Sequence, residues 1–283
     1  MPTKIEKDAV SGQETTGHEW DGIKELNNPL PKWWLYVLWA TVIWAFAYYF
    51  WSSPIPGVEG FQEPARERLA GEMAAARAEQ SVFLERIAAA QLQEIRDDPD
   101  LLNFAIAGGG SAFADNCAPC HGQGGAGGPG FPTLADDAWI WGGALEDIHQ
   151  TILHGIRSDD PDTRLSEMVP FGEGLLDRAQ VSDVAEYVLS LSGQVTDRQA
   201  VERGKALFEE NCVACHADGG VGDASLGAPA LNDAIWLYGG TKDDIESQTW
   251  DPRHGVMPAW VDRLDDTTIK MLTVYVHTLG GGQ

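Results

Sequence analysis

The chain has 283 residues and a formal net charge of −24, with 43 Asp and Glu against 19 Lys and Arg. Such an acidic balance argues against nucleic acid or an anionic lipid surface as a partner, and favours a basic protein partner or simple solubility. The length suits about two small domains with additional segments.

In chain order, residues 1–32 form a polar segment that includes Lys24 and Lys32. The stretch 33–51 then reads WWLYVLWATVIWAFAYYFW, without a charge. As a helix it would span about 28 Å at 1.5 Å per residue, close to the thickness of a bilayer core. Trp33, Trp34 and Tyr36 at one end and Tyr48, Tyr49 and Trp51 at the other suit the two headgroup zones. A soluble core helix would be apolar along one stripe, whereas this one is apolar all round. A cleaved leader is disfavoured because a polar segment precedes the run and no A-x-A-like site follows it. The first basic residue after the span is Arg66, so the basic bias places the N-terminus in the cytoplasm and the rest outside.

Pro54, Pro56 and Pro64 mark a hinge. Beyond it, Leu69, Met73, Ala76, Phe83, Ile87 and Ala90 recur at helical spacing and predict a helix over 65–96, a strut or packing surface ended by Asp97-Asp98-Pro99. The remainder is a tandem repeat. The string Pro132-x-Leu134-x-Asp136-x-x-Trp139-x-x-Gly142-Gly143 aligns without a gap to Pro229-x-Leu231-x-Asp233-x-x-Trp236-x-x-Gly239-Gly240. Gly109 and Phe113 match Gly204 and Phe208, and each repeat closes with a helical segment carrying Tyr187 or Tyr275. Agreement at so many positions means duplication of one domain. The expected division is 1–32, 33–51, 52–98, 99–195 and 196–283.

All four cysteines lie in two C-x-x-C-H units, Cys117-Ala118-Pro119-Cys120-His121 and Cys212-Val213-Ala214-Cys215-His216. None is left for a disulfide framework or a zinc site. This spacing attaches c-type haem: two thiols form thioethers with the porphyrin vinyl groups and the adjacent histidine is aimed at the iron. Two covalently bound haem c groups are therefore expected, and a large apolar cofactor explains how domains of about 90 residues acquire a core. Of the five methionines, Met168 and Met257 each stand late in a repeat and just before a proline, in Met168-Val169-Pro170 and Met257-Pro258. They are the expected sixth ligands, Met168 for the first iron beside His121 and Met257 for the second beside His216. A methionine is more often core filler, but filler would not recur at the equivalent loop. His149 and His154 are the other candidates for the first iron. His154 and His254, each before a glycine, suit hydrogen bonds to propionates or loop backbone.

Each repeat resembles a class I cytochrome c, with the early Gly and Phe and the late Tyr at that family's contact between first and last helices. The resemblance implies that the carbonyls of Pro132 and Pro229 hold the ligating imidazoles. The whole chain resembles the di-haem subunit of cbb3-type cytochrome c oxidases, most distinctively in the pre-membrane segment His18-Glu19-Trp20-Asp21-Gly22-Ile23-Lys24-Glu25-Leu26-Asn27-Asn28-Pro29-Leu30-Pro31-Lys32-Trp33-Trp34. It departs in the Met-Val-Pro sequence of the first site and in the stretch 249–253. The implied fold is all-α: one transmembrane helix in the bacterial inner membrane, then two tandem cytochrome domains in the periplasm. The implied role is electron transfer from a donor cytochrome c, through a mono-haem subunit, to a haem–copper subunit that reduces oxygen, with no catalysis by this chain alone. A di-haem peroxidase would need an iron with an open position, which two well-placed methionines oppose. A membrane cytochrome of another respiratory complex is a further alternative, disfavoured by the pre-membrane segment.

Overall fold

The computed structural model describes residues 4–52, 65–194 and 197–280. The hinge expected over 54–64 lies outside the described residues. The chain divides into two compact units, 1–78 and 79–283.

In the N-terminal unit, strands β1 (Thr15–Trp20) and β2 (Ile23–Leu26) pair antiparallel. The turn is Asp21-Gly22, with φ 51° and 84°, the pair of left-handed residues that tight hairpins favour. Sequence analysis predicts no strand here. The helical and membrane signals nearby hide a short hairpin whose one cue is the Asp-Gly step. Helix α1 (Lys32–Ser52) follows, with no buried residue. It is long and apolar enough to cross a membrane, and its exposed Trp, Tyr and Phe side chains suit a lipid surround.

The helix predicted over 65–96 is two: α2 (Ala65–Ala89) and α3 (Leu92–Asp97). The break follows from local capping, since Gln91 N–H donates to Glu94 Oε2 at 2.9 Å and opens a new helix. Asp98 then caps α4 (Pro99–Asn116), accepting from the Asp100 and Leu101 N–H groups, with Pro99 in the first turn. The remaining helices are α5 (Ala118–His121), α6 (Leu145–His154), α7 (Arg178–Leu191), α8 (Arg198–Asn211), α9 (Val213–His216), α10 (Lys242–Trp250) and α11 (Asp266–Leu279).

The expected division into 99–195 and 196–283 follows the sequence repeats, whereas the helices pair across them. The early helix α4 of the first repeat packs on α11, the last helix of the second, while α7 packs on α8. The aromatic pairs record the exchange. Phe113 meets Tyr275 with ring centroids 5.4 Å apart, and Phe208 meets Tyr187 at 5.1 Å. Two apolar clusters result. One joins Phe113, Ile148 and Ile152 to Ile269, Leu272 and Val276; the other joins Val181, Val184 and Val188 to Phe208 and Ile245. A third lies where Ile87 and Ile95 meet Leu101, Met271 and Val274, so the strut helix is a packing surface against α4 and α11. Lys270 secures it by donating to the carbonyls of Ala88 and Ala90 at the end of α2.

Two segments cross between the modules. After α6, Ile156 exchanges a pair of backbone hydrogen bonds, each 3.0 Å, with Met257; after α10, Gly172 N–H donates to Trp250 O, also at 3.0 Å. Arg157 ties the crossing segments together, donating from Nε to Gly255 O at 2.7 Å and from Nη1 to Ser166 O at 2.8 Å.

The helix pairs approach closely only through glycine. A methyl group on Gly109 would fall 2.3 Å from Met271 O, and one on Gly204 would fall 1.9 Å from Asp183 O. Because backbone cannot rotate aside, Gly109→Ala is expected to cost about 3 kcal/mol or more through forced separation of α4 and α11. Thermal unfolding checks this against Gly71→Ala, where nothing lies within 4 Å and a gain of about 0.5–1 kcal/mol is expected.

Candidate haem-binding sites

Each C-x-x-C-H unit sits at the same local device. Cys117 ends α4, and the Cys120 and His121 N–H groups turn back onto its carbonyl at 3.1 and 2.9 Å; Cys212, Cys215 and His216 repeat this with the same distances. One short helical turn thereby presents two thiols and an imidazole from a single place. Cys120 and Cys215 are exposed, while Cys212 is buried and Cys117 is half-buried.

The ring of each histidine is fixed from behind. His121 Nδ1 lies 3.1 Å from Pro132 O and His216 Nδ1 lies 3.0 Å from Pro229 O. A carbonyl oxygen only accepts, so Nδ1 carries the proton and Nε2 keeps its lone pair for a metal. Burial holds both imidazoles below their ordinary pKa, partly opposed by the proline carbonyl. A neutral imidazole is the ligating form. Burial also pushes the Cys117 and Cys212 thiols up to about 11, with the neighbouring cysteine adding to the rise. Thiols so shifted stay protonated at neutral pH. This state fits thiols destined for thioether linkage.

The methionines are exchanged relative to the expected pairing. Met257, expected with the second unit, packs in the cluster that holds Cys117, Ala118 and Tyr275. Met168, expected with the first, packs in the cluster of Phe208, Cys212 and Tyr187. The crossing segments cause this: each leaves its own repeat before its methionine and delivers the side chain to the other. Sequence alone carries no signal of it, because both repeats offer the same Gly, Phe and Tyr and either pairing satisfies the pattern.

Of the histidines named in the sequence, His154 and His254 have other company, whereas His149 Nε2 is buried without a hydrogen-bond partner among the described residues. His154 Nδ1 lies 2.9 Å from Asp160 Oδ1. His254 Nε2 accepts from the Met168 backbone N–H at 3.1 Å, a loop-backbone role. His149 is held below its ordinary pKa first by burial, with Asp266 acting in the opposite sense. His277 is buried in α11.

Trp139 Nε1 and Arg164 Nε are buried donors without a protein acceptor, and Trp139 belongs to the cluster around Cys117 and Met257. A buried donor left unpaired is costly. A ligand with an apolar body and carboxylate arms would satisfy both demands, and haem has that chemistry. The first site thus fits the group on its donor set, its apolar lining and the orphaned Trp139 donor. The second fits on its donor set and lining. The repeated Trp in Trp139-x-x-Gly142-Gly143 was the sequence signal for the first donor; nothing singled out Arg164.

Comparison with known proteins agrees. Residues 12–58 match the family described as the N-terminal domain of cytochrome oxidase-cbb3, FixP. Residues 106–192 match cytochrome c, and 199–276 match cytochrome C oxidase, cbb3-type, subunit III. These matches follow the repeats in sequence, whereas the helices pair across them. The chain is 52% identical to a cbb3-type cytochrome c oxidase subunit CcoP of Azospirillum sp. (strain B510), with 98% of each chain covered. It is 51% identical to a subunit FixPc of Rhizobium leguminosarum bv. viciae, over 97% of this chain and 98% of that one. With a cysteine–histidine unit in each repeat, an apolar helix ahead of them and full-length likeness of this degree, the chain belongs to the CcoP/FixP family of cbb3-type cytochrome c oxidase subunits.

Proposed function

We propose that this chain is the membrane-anchored electron relay of a cbb3-type oxidase and carries two haem c groups. It is a non-catalytic electron-transfer subunit. Cys117 and Cys120 would hold one haem, with His121 and Met257 as its axial ligands. Cys212 and Cys215 would hold the other, with His216 and Met168. Haem, when bound, supplies an iron that gains and loses one electron at a time.

The residues explain why relay is the chemistry supported. Pro132 and Pro229 fix the two imidazoles, and each crossing segment brings a thioether to the opposite module. With a histidine and a methionine as ligands the iron would offer no position to a substrate, and His/Met ligation would favour a higher potential than two histidines. The observation that supports the reading is a proline-held histidine in each repeat, with Met257 packed in the cluster of Cys117 and Met168 in that of Cys212. Its further parts are an N-terminus in the cytoplasm, haem modules in the periplasm, a donor cytochrome c, and passage of electrons to a mono-haem subunit and then a haem–copper subunit. They rest on the basic residues before α1, the acidic chain and the family.

Intact-mass measurement of the purified complex tests this. It should give two haem c on this chain, with a mono-haem cytochrome and a haem–copper subunit as companions; one haem, or other companions, would overturn it. The net charge of −24 also predicts electrostatic steering of a basic donor. Stopped-flow association with such a cytochrome should slow by roughly tenfold or more between low and ~0.15 M salt, and a rate indifferent to salt would remove the steering.

A further inference from the structure

Among the contacts between the two modules is one aromatic residue from each, at equivalent places in the repeat. Trp141 and Tyr238 occupy the same position of the aligned strings, just before Gly142-Gly143 and Gly239-Gly240. Trp141 belongs to the module of His121, yet its ring lies against Gly227 of the other: a methyl group on Gly227 would fall 2.2 Å from the ring. Tyr238 belongs to the module of His216, and its ring is 3.5 Å from where a methyl on Gly130 would lie. Gly130 N–H also donates to Leu237 O at 2.8 Å.

The contacted glycines are equivalent too. Gly227 lies two residues before Pro229, whose carbonyl holds His216, and Gly130 lies two residues before Pro132, whose carbonyl holds His121. Each aromatic is backed by an arginine from a crossing segment. Arg164 stands over Trp141 at 5.3 Å, and Arg253 over Tyr238 at 4.7 Å, also donating to Tyr238 O at 3.1 Å. Arg164 and Arg253 precede Met168 and Met257 by the same interval. Gly227, at φ +62°, is in a conformation that other residues adopt at a cost, so its loop accepts the indole only as glycine.

We infer that Trp141 and Tyr238 are reciprocal positioning residues, each setting the proline–histidine hydrogen bond of the opposite module and so coupling the reduction equilibrium of each haem to the packing of the other. The reach is short. Moving the indole frees the Gly227 loop, the Pro229 carbonyl shifts, and the hydrogen bond that tunes the basicity of His216 weakens. Tyr238 acts on His121 through Gly130 and Pro132 in the same way. Neither side chain is a ligand. Both act on the iron through the backbone of the partner module.

This inference rests on the reading that His121 and His216 bind haem iron, and the test separates the two. Redox titration followed by absorbance would be run on the purified complex carrying Trp141→Ala, Trp141→Phe or Tyr238→Ala. The two midpoints are assigned with Met168→His and Met257→His. Trp141→Ala should shift the His216 site by about tenfold in its one-electron equilibrium, ~59 mV, and leave the His121 site in place. Tyr238→Ala should do the reverse, and Trp141→Phe should restore most of the original value. A Trp141→Ala shift confined to the His121 site, an equal shift at both, or none at either would overturn the coupling. Should Trp141→Ala lose haem or fail to assemble, Tyr238→Ala decides the matter by the corresponding criterion at the His121 site. Absence of haem from the unaltered chain would instead sink the haem reading itself.

Discussion

Replacing Met257 with histidine should lower the reduction potential of the haem proposed at His121 and leave that of the haem proposed at His216 where it was. The physical basis is the exchange of crossing segments. Met257 stands in the second sequence repeat, but its backbone is paired to Ile156 at the end of α6 and its side chain packs with Cys117. A thioether favours the reduced iron more than a second imidazole does, so substitution of His for Met moves the couple downward. The shift should be a substantial part of the ~0.8 V that axial ligands command. Met257→Ala should instead leave the His121 iron open on one side, with loss of the charge-transfer absorption of sulfur-ligated ferric haem from that site alone. Met168→His and Met168→Ala should mirror these results at the His216 site. Titration of the single variants checks all four, and a Met257 variant that altered the His216 site would restore the consecutive pairing.

That outcome also marks where sequence reading stopped. The C-x-x-C-H turns, the proline carbonyls behind His121 and His216, the apolar helix over 33–51 and the late helices with Tyr187 and Tyr275 were all legible, because each depends on neighbours within one stretch of chain. The hairpin turning at Asp21-Gly22 was missed because two short strands are a weak signal beside an adjacent apolar run. The break at Gln91 was missed because apolar spacing continues through it, and only the capping geometry interrupts the helix. The exchange of α7 and α11 was not legible at all. Phe113 meets Tyr275 as readily as it would meet Tyr187, since duplication left both partners with the same surface. What selects between them is the path of the segments around Arg157, a property of connection rather than of pattern. The orphaned donors of Trp139 and Arg164 belong to the same class, because their burial without acceptors emerges only once the crossing is made.

A chain ending at Gly255 should therefore lose order in its first module and keep it in its second. The deletion removes Met257 and all of α11, which buries Ile269, Met271, Leu272, Val274 and Val276. At about 1.5–3 kcal/mol for each side chain taken from water, these five contribute on the order of 8–15 kcal/mol, an upper bound because an unfolded chain already buries part of that surface. Even half of it is comparable with the ~5–15 kcal/mol that holds a whole domain together. Helix α4 would lose the α11 side of the clusters around Leu101 and Phe113, while α7, α8 and α10 would retain every contact in the cluster around Phe208. Hydrogen exchange read by mass spectrometry distinguishes the possibilities peptide by peptide. Amides of α4 and α6 should exchange many times faster than in the full chain, and those of α7 and α8 should stay protected. Consecutive modules demand the opposite pattern, with α4 protected and α8 released, so a single exchange map decides which helices complete each haem site.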